Sequence, residues 1–213
     1  MTCCADPDCG GFFTERVARR DAKGYRRKGL GSLSGSIVRF LADRGVEGAT
    51  VLEAGGGIGA IQLELLKAGA ANATNVELSP AYERDAEELL READMTDRVE
   101  RRLGDFAQGD GIAPADLVVL NRVVCCYPDY ETLVGAAAER TKRTLVMTFP
   151  RDAWWTRAGV GAIAVVQRVR RQSFRPYVHP PGAIVAAAQR HGLELVRDRV
   201  GPVWQLVALD RPA

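Results

Sequence analysis

The chain has 213 residues, of which 46% are hydrophobic and 26% are charged, a composition typical of one globular domain with a full hydrophobic core. The formal net charge of +2 is too small to indicate a nucleic-acid partner by itself, and no apolar run approaches the roughly 20 residues that span a bilayer. The first residues lack the basic start and apolar stretch of a secretory signal, so we expect a cytoplasmic location.

Two helices are predicted before the first strand. Residues 11–28 form a polar, basic helix, and apolar residues at helical spacing predict a second helix over residues 36–44. No strand pattern precedes residue 50. We therefore expect residues 1–45 to form an N-terminal helical cap over the active site. Residues 46–213 are expected to form the main domain as a single globular unit.

Short apolar strands alternate with helices from residue 50 onward, which predicts a parallel sheet with helices on both faces. The last two strands are separated by a short turn containing Gly201 and Pro202, so they must be antiparallel hairpin partners. The predicted fold is a doubly wound, mostly parallel, seven-stranded α/β sheet that ends in this hairpin. The strands are predicted at residues 50–53, 75–77, 99–103, 116–120, 144–149, 193–196 and 203–209, and the helices between them at residues 60–69, 81–93, 130–140, 153–171 and 182–191.

A glycine-rich segment, Glu53-Ala54-Gly55-Gly56-Gly57-Ile58-Gly59, joins the first strand to the following helix. Glycines at such a junction let the backbone turn sharply and let a ligand lie against main-chain atoms. The segment also satisfies the dinucleotide pattern when it is written as Gly55-x-Gly57-x-x-Ala60. A dinucleotide-binding oxidoreductase is therefore one alternative for this chain.

Acidic residues follow the next two strands. Glu77 ends the second strand, where a carboxylate can accept two hydrogen bonds from a ribose diol. Asp105 follows the third strand and can accept from an adenine amino group, while Phe106 offers an apolar face to the base. A dinucleotide site does not require that pair, and dinucleotide domains usually begin almost at once with the glycine-bearing strand.

The chain from about residue 49 to 209 resembles the class I S-adenosylmethionine-dependent methyltransferases, which have a Rossmann-like fold. Glu53-x-Gly55-x-Gly57-x-Gly59 is similar to the first motif of that family, Glu77 to the second, and Asp105-Phe106 to the third. The resemblance implies that the cofactor is S-adenosylmethionine, with S-adenosylhomocysteine as the product. It implies that the glycine loop holds the methionine part, that Glu77 binds the ribose hydroxyls and that Asp105 binds adenine.

The end of the fourth strand is predicted to line the transfer chamber, because ligands in open α/β sheets lie beyond the carboxyl ends of the strands. Asn121 is expected to face the cofactor there. Tyr127 is a candidate substrate contact or a packing residue, and His179 is a candidate base or an ordinary loop residue. The segment lacks the Asn-Pro-Pro-Tyr or Asp-Pro-Pro-Tyr signature of enzymes that methylate base amines, so nucleic acid is a disfavoured partner.

The second half of the chain resembles the magnesium-protoporphyrin O-methyltransferases. The similar features are Val124-Cys125-Cys126-Tyr127-Pro128, the fifth strand, and Tyr177-Val178-His179, although Cys126 stands where that family often has histidine. Those enzymes esterify a propionate. The resemblance implies a small-molecule acceptor that is methylated at a carboxylate or hydroxyl oxygen, with porphyrin-like compounds among the candidates.

Five cysteines are present, namely Cys3, Cys4, Cys9, Cys125 and Cys126. An odd number without a secretory signal argues against a disulfide framework. Thiolates bind soft metals and metalloids, so a structural zinc on the first three and a thiophilic acceptor such as arsenite remain alternatives. Adjacent cysteines are poor zinc ligands compared with Cys-x-x-Cys spacing, and we predict no metal site.

Basic residues are concentrated in two stretches, which are either solvated helix faces or a rim that attracts an anionic substrate. The first stretch could instead hold RNA. Two further alternatives remain, namely that the protein binds the cofactor without catalysing a reaction and that it forms a homodimer. The two stretches are Arg16, Arg19, Arg20, Lys23, Arg26, Arg27 and Lys28, and Arg168, Arg170, Arg171 and Arg175.

Overall fold

A seven-stranded sheet forms the centre of the computed structural model, which describes residues 12–169 and 174–212. The strand order is β3-β2-β1-β4-β5-β7-β6, in which the first five strands are parallel and β7 is antiparallel to both β5 and β6. This topology confirms the predicted mostly parallel sheet with a C-terminal hairpin. The strands are β1 (Thr50–Ala54), β2 (Asn72–Glu77), β3 (Val99–Leu103), β4 (Ala115–Asn121), β5 (Thr141–Pro150), β6 (Glu194–Val200) and β7 (Trp204–Asp210).

Helices precede the sheet and connect its strands. The second helix begins at Ser32, earlier than predicted, because Gly35 is accommodated within the helix and Gly29, with φ of 66°, ends the helix before it. In the described part of the chain, no helix is long and apolar enough to cross a membrane. The helices are α1 (Glu15–Lys28), α2 (Ser32–Asp43), α3 (Ala60–Lys67), α4 (Glu83–Glu92), α5 (Tyr130–Glu139), α6 (Trp154–Val169) and α7 (Pro181–Gln189).

Both faces of the sheet are buried under helices. Because side chains alternate along a strand, Val118 and Leu120 of β4 pack in a cluster with residues of α5 and α7. Leu117 and Val119 of the same strand face the other way, into a cluster with residues of α2 and α3. The continuous apolar sequence of β4 is therefore a consequence of burial on both sides.

The two N-terminal helices have different positions. Ala18 and Ala22 of α1 are fully buried against a cluster that includes Tyr82, near the loops at the sheet edge. In contrast, Ile37 and Leu41 of α2 lie in the core cluster beneath the sheet. The core thus continues into residues before 46, and the division into a cap and a main domain stays a prediction.

The carboxyl ends of the parallel strands bring several chemically active groups to one edge of the sheet. The glycine loop follows β1, Glu77 ends β2, and Asp105 comes shortly after β3. Asn121 ends β4 on the other side of β1. The start of β7 lies at the same edge, because this antiparallel strand pairs Trp204 with Pro150 of β5.

The two helix layers predict that two leucines contribute very differently to stability, although both are register neighbours of Leu209. Leu145 on β5 is fully buried, whereas Leu195 on the edge strand β6 is 40% exposed. We expect Leu145→Ala to lower the free energy of unfolding by about 2–5 kcal/mol, because it leaves a cavity in the core. Leu195→Ala should lower it by less than about 1 kcal/mol. Urea denaturation followed by circular dichroism measures both, and equal losses would contradict the layered packing.

Candidate active site

The loop between β1 and α3 has the backbone that its glycines predict. Gly55, Gly57 and Gly59 have φ values of 62°, 56° and 73°, in the left-handed region that side chains with a Cβ rarely adopt. The backbone N–H of Gly55 donates to the carbonyl of Val76 at 2.8 Å, which ties the loop to β2. The alternating glycines are therefore required by the turn itself.

The Glu77 carboxylate connects the end of β2 to this loop. Its Oε2 accepts from the backbone N–H of Gly57 at 2.8 Å, and its Oε1 accepts from the N–H of Ser79 at 2.9 Å. The residue is 8% exposed, and burial raises the pKa of its carboxyl while the backbone hydrogen bonds lower it. A carboxylate has about four acceptor sites, so Glu77 can shape the loop and still accept from a ligand.

A buried polar cluster lies under the loop and consists of Glu53, Gln62 and Asn75. Glu53 is 2% exposed, its Oε2 accepts from the backbone N–H of Gln62 at 3.4 Å, and burial raises its pKa to about 8. A Cβ on Gly56 would lie 2.3 Å from Nδ2 of Asn75, so the loop packs directly on the cluster. Sequence reasoning did not identify Gln62 or Asn75. The available signals were a polar residue among the apolar residues of α3 for Gln62 and a polar residue next to Val76 in β2 for Asn75.

Arg101 of β3 is a second residue that sequence reasoning missed. Its Nη2 donates to the carbonyl of Gly57 at 3.1 Å and to Oε1 of Glu83 at 2.6 Å. Only 8% of its side chain is exposed. Arg101 on β3 therefore ties the glycine loop to Glu83 of α4. Burial raises the pKa of both Glu53 and Glu77, and the positive charge of Arg101 partly offsets that rise.

Asp105 and Tyr127 are hydrogen-bonded to each other. The Tyr127 hydroxyl donates to Oδ2 of Asp105 at 2.9 Å, and Oδ1 of Asp105 accepts from the N–H of Ala107 at 2.9 Å. Tyr127 is 5% exposed. Phe106 is also 5% exposed and packs in the core, with the guanidinium carbon of Arg140 5.5 Å from its ring centroid. The contact of Phe106 with a base stays a prediction.

Asn121 lies at the end of β4 with both ends of its amide bonded to protein. Its Oδ1 accepts from Oγ1 of Thr148 at 2.8 Å, and its Nδ2 donates to Oγ of Ser34 at 3.3 Å. The next residue, Arg122, is a non-glycine residue with φ of 62°. Its backbone N–H donates to both the carbonyl and Oγ1 of Thr148, at 3.1 and 2.9 Å. The chain turns sharply here after β4.

The two neighbouring thiols follow this turn. Both Cys125 and Cys126 donate to the carbonyl of Arg122, at 3.3 and 3.4 Å, and their sulfur atoms are 3.9 Å apart. The contact with the Cys126 thiol lowers the pKa of the Cys125 thiol. Cys125 is buried and Cys126 is half-buried.

His179 braces the same loop. Its Nε2 lies 2.9 Å from the carbonyl of Tyr127, and its ring stacks on Tyr177 with centroids 5.5 Å apart. Burial lowers the pKa of His179, and hydrogen bonds to backbone carbonyls raise it. The structure therefore brings both candidate catalytic residues, Tyr127 and His179, to the loop after β4, where each makes a contact with the protein itself.

Aromatic residues cover the turn after β2. The Ser79 hydroxyl donates to the carbonyl of Phe13 at 3.2 Å, and the ring of Phe13 lies 6.4 Å from that of Tyr82. The Tyr82 ring in turn contacts the loop, since a Cβ on Gly57 would lie 3.3 Å from it. Phe12 stacks on Phe174 at 4.5 Å. Residues before α1 and residues after α6 thus meet above the turn next to Glu77.

Some residues that the sequence analysis singled out lie outside the described part of the chain. Cys3, Cys4 and Cys9, and with them the zinc alternative, lie outside the described residues, as do Arg170 and Arg171. Among residues 12–169 and 174–212, no group of three or more metal-binding side chains occurs. An open cleft of about 410 Å³ lies beside α5 and α7, and no predicted site residue lines it.

The buried carboxyl of Glu53 predicts a specific pH dependence of stability. Its pKa in the folded protein is about 8, above the usual 4.5, so the folded state binds the proton more tightly. Stability from this group is full below the unfolded-state pKa of about 4.5 and is lost as the pH rises from there to about 8. We expect Glu53→Gln to abolish this part of the slope, which is at most about 1.4 kcal/mol per pH unit.

Urea unfolding of the wild type and the variant at several pH values measures the difference. The matched control is Glu87→Gln, since Glu87 is exposed on α4. If the stability difference between the wild type and Glu53→Gln stays constant from pH 5 to 8, the carboxyl does not titrate as described.

Solved methyltransferases share this fold. The magnesium protoporphyrin IX methyltransferase from Synechocystis PCC 6803 with bound S-adenosylhomocysteine has a TM-score of 0.69 and 20% identity, over 84% of this chain and 82% of that one. An O-methyltransferase family protein from Burkholderia thailandensis has a TM-score of 0.71 and 21% identity, over 93% of this chain and 60% of that chain, so it is considerably longer. Geranyl diphosphate C-methyltransferase from Streptomyces coelicolor A3(2) has a TM-score of 0.65 and 17% identity, over 84% of this chain and 80% of that one.

No curated protein matches the sequence. A family model described as a methyltransferase domain matches residues 25–197, which is well over half of the chain. This match and the shared fold confirm the resemblance to class I S-adenosylmethionine-dependent methyltransferases that the sequence motifs indicated. The chain belongs to the methyltransferase domain family.

Proposed function

We propose that the protein transfers a methyl group from S-adenosylmethionine to a small molecule, at a carboxylate or hydroxyl oxygen. One observation carries the proposal. The glycine loop, Glu77 and Asp105 follow three adjacent strands, β1, β2 and β3, and therefore form one row at the carboxyl edge of the sheet. The solved Synechocystis enzyme with this fold contains S-adenosylmethionine or its product, which supports the same cofactor here.

The residues present fit that cofactor in both shape and chemistry. Asn75 and Tyr82 pack against Gly56 and Gly57 from the protein side, while Gly55 is exposed and Gly56 and Gly57 are half-buried, so main-chain atoms without side chains remain accessible to a ligand. Glu77 offers acceptors suited to ribose hydroxyls, and Asp105 offers one suited to an amino group. When bound, the cofactor supplies an electrophilic methyl group.

Tyr127 and His179 act as positioning residues in this proposal. Tyr127 orients the Asp105 carboxylate through its hydroxyl, and His179 holds the carbonyl of Tyr127. The chain's remaining tasks are to align the acceptor with the methyl group and to exclude water. A carboxylate acceptor needs no base, unlike a hydroxyl, so it fits a site in which both candidate catalytic residues are bonded to the protein.

The cofactor assignment predicts the effect of removing the two acids. Glu77→Ala and Asp105→Ala should each weaken binding of S-adenosylhomocysteine by about 10- to 100-fold, because each loses hydrogen bonds to a charged acceptor. Isothermal titration calorimetry measures the affinity, with Glu87→Ala as the control for loss of an exposed carboxylate.

Circular dichroism of each variant separates a local effect from unfolding. Unchanged affinity in both folded variants would remove the proposed cofactor site. Binding of a nicotinamide dinucleotide by the wild type, without binding of S-adenosylhomocysteine, would instead support the oxidoreductase alternative.

A thiophilic acceptor such as arsenite is a second candidate, and the closeness of the Cys125 and Cys126 sulfur atoms favours it. For this acceptor, replacing both cysteines by serine should abolish methylation of arsenite while calorimetry shows unchanged affinity for S-adenosylhomocysteine. Arsenite turnover that survives the double substitution would exclude these thiols, and absence of turnover by the wild type would exclude this acceptor.

A further inference from the structure

The carboxyl edge of the sheet has two halves. The loops after β1, β2 and β3 form the half assigned above to the cofactor, and the ends of β4 and β5 with the start of β7 form the other half. Ligands of open α/β sheets lie along this edge, so the second half is the place for the acceptor. This step rests on the proposed function.

A first arginine–tryptophan pair lies in the second half. The guanidinium carbon of Arg122, directly after β4, is 5.0 Å from the ring centroid of Trp204 at the start of β7. The left-handed backbone of Arg122 is uncommon for a residue with a side chain, and two hydrogen bonds to Thr148 hold it. The position of this arginine is therefore fixed by the ends of three neighbouring strands.

A second pair follows β5, whose last residue, Pro150, pairs in register with Trp204 of the first pair. The guanidinium carbon of Arg151, directly after β5, is 5.3 Å from the ring centroid of Trp155. Trp155 donates its indole N–H to the carbonyl of Pro202 at 3.1 Å, and the N–H of Arg151 donates to the carbonyl of Val203 at 2.8 Å. These bonds join the end of β5, the first turn of α6 and the β6–β7 turn into one structure.

Neither arginine is neutralised by a carboxylate within residues 12–169 and 174–212. The nearby Arg157 shows the contrast, because it forms a short ion pair with Asp152. A guanidinium held over an aromatic ring by a cation–π contact still has N–H groups at its edge, which can bind an oxyanion with two parallel hydrogen bonds. Arg122 and Arg151 therefore offer positive charge and donors to a ligand.

The helix that carries Trp155 has an apolar exposed surface along its length. Helix α6 exposes Trp154, Val165 and Val169 at 76%, 63% and 78%, while its buried positions are polar, namely Thr156 and Gln167. An ordinary surface helix has the opposite arrangement. An exposed apolar surface of this kind marks a binding region, and its amino-terminal end includes Trp155, which contacts Arg151.

We propose that this half of the edge binds the methyl acceptor and selects an apolar organic anion. Arg122 and Arg151 hold its oxyanion group, which is a carboxylate or a phosphate. Trp155, Trp204 and the outward face of α6 hold its apolar part.

The three tryptophans of the chain, Trp154, Trp155 and Trp204, all lie at this site, so intrinsic fluorescence reports on it directly. The probes are two matched pairs, 1-pyrenebutyrate with 1-pyrenebutanol and farnesyl diphosphate with farnesol. We expect the wild type to bind at least one anion about tenfold or more tightly than its neutral partner. The pair with the larger difference identifies the carboxylate or the phosphate as the preferred group.

The double variant Arg122→Gln with Arg151→Gln should lose this preference, while Arg91→Gln, a matched change at an exposed arginine on α4, should retain it. Unchanged affinity for S-adenosylhomocysteine shows that the variant is folded and that the cofactor half is intact. If S-adenosylhomocysteine does not bind the wild type, circular dichroism shows instead that the variant is folded. That result would contradict the proposed function, and the probe measurements alone would then test this site.

Three results overturn the inference. They are equal affinity of the wild type for anions and alcohols, failure to bind any of the four probes, and an equal loss in the double variant and in Arg91→Gln. If any of these results is found and the protein also self-associates, the apolar face of α6 is tested as a contact with a second copy of the chain. Val166→Asp on α6 would then abolish self-association, whereas Val196→Asp on β6 would not. The two valines are matched in exposure, at 49% and 46%.

Discussion

The hydrogen bond from the backbone of Gly57 to the carboxylate of Glu77 joins the two strands on which the site depends. It requires a left-handed glycine in the loop, a carboxylate at the last position of β2, and a register that brings the two together. Arg101 reinforces it from β3 by binding the carbonyl of the same glycine. Three neighbouring strands thus fix one short piece of backbone. The buried cluster of Glu53, Gln62 and Asn75 supports that backbone from below.

Much of this architecture is predictable from the sequence, because it depends on local patterns. Apolar strands bounded by glycines, and a hairpin whose turn is too short for a crossover, determine the sheet topology. Glu77 and Asp105 are recognisable because an acid at the end of a parallel strand lies at the ligand edge. The predicted start of the second helix, at residue 36, lies four residues after the observed start at Ser32, because the helix accommodates Gly35.

The features that sequence reasoning missed depend on contacts between distant parts of the chain. Asn75 and Arg101 act on the glycine loop only because β2 pairs with β1, and β3 with β2, in registers that align these two residues with Glu53. The hydrogen bond between Tyr127 and Asp105 and the cation–π contact of Arg122 with Trp204 likewise join separate elements. Composition gives no sign of these pairs. Tyr127 and His179 were selected by residue type, which indicates what a side chain can do but not which partner it has.

The position of β7 between β5 and β6 has a consequence for how the two halves of the site are assembled. The cofactor half is made from strands that are synthesised early, whereas Trp204 and Pro202 belong to the last hairpin. A nascent chain on the ribosome emerges from its amino terminus, so it contains all of β1 to β4 while the partners of Arg122 and Trp155 have not yet been made. The contacts that Trp204 and Pro202 make in the proposed acceptor half can therefore form only after the final strand has been made and has inserted between β5 and β6.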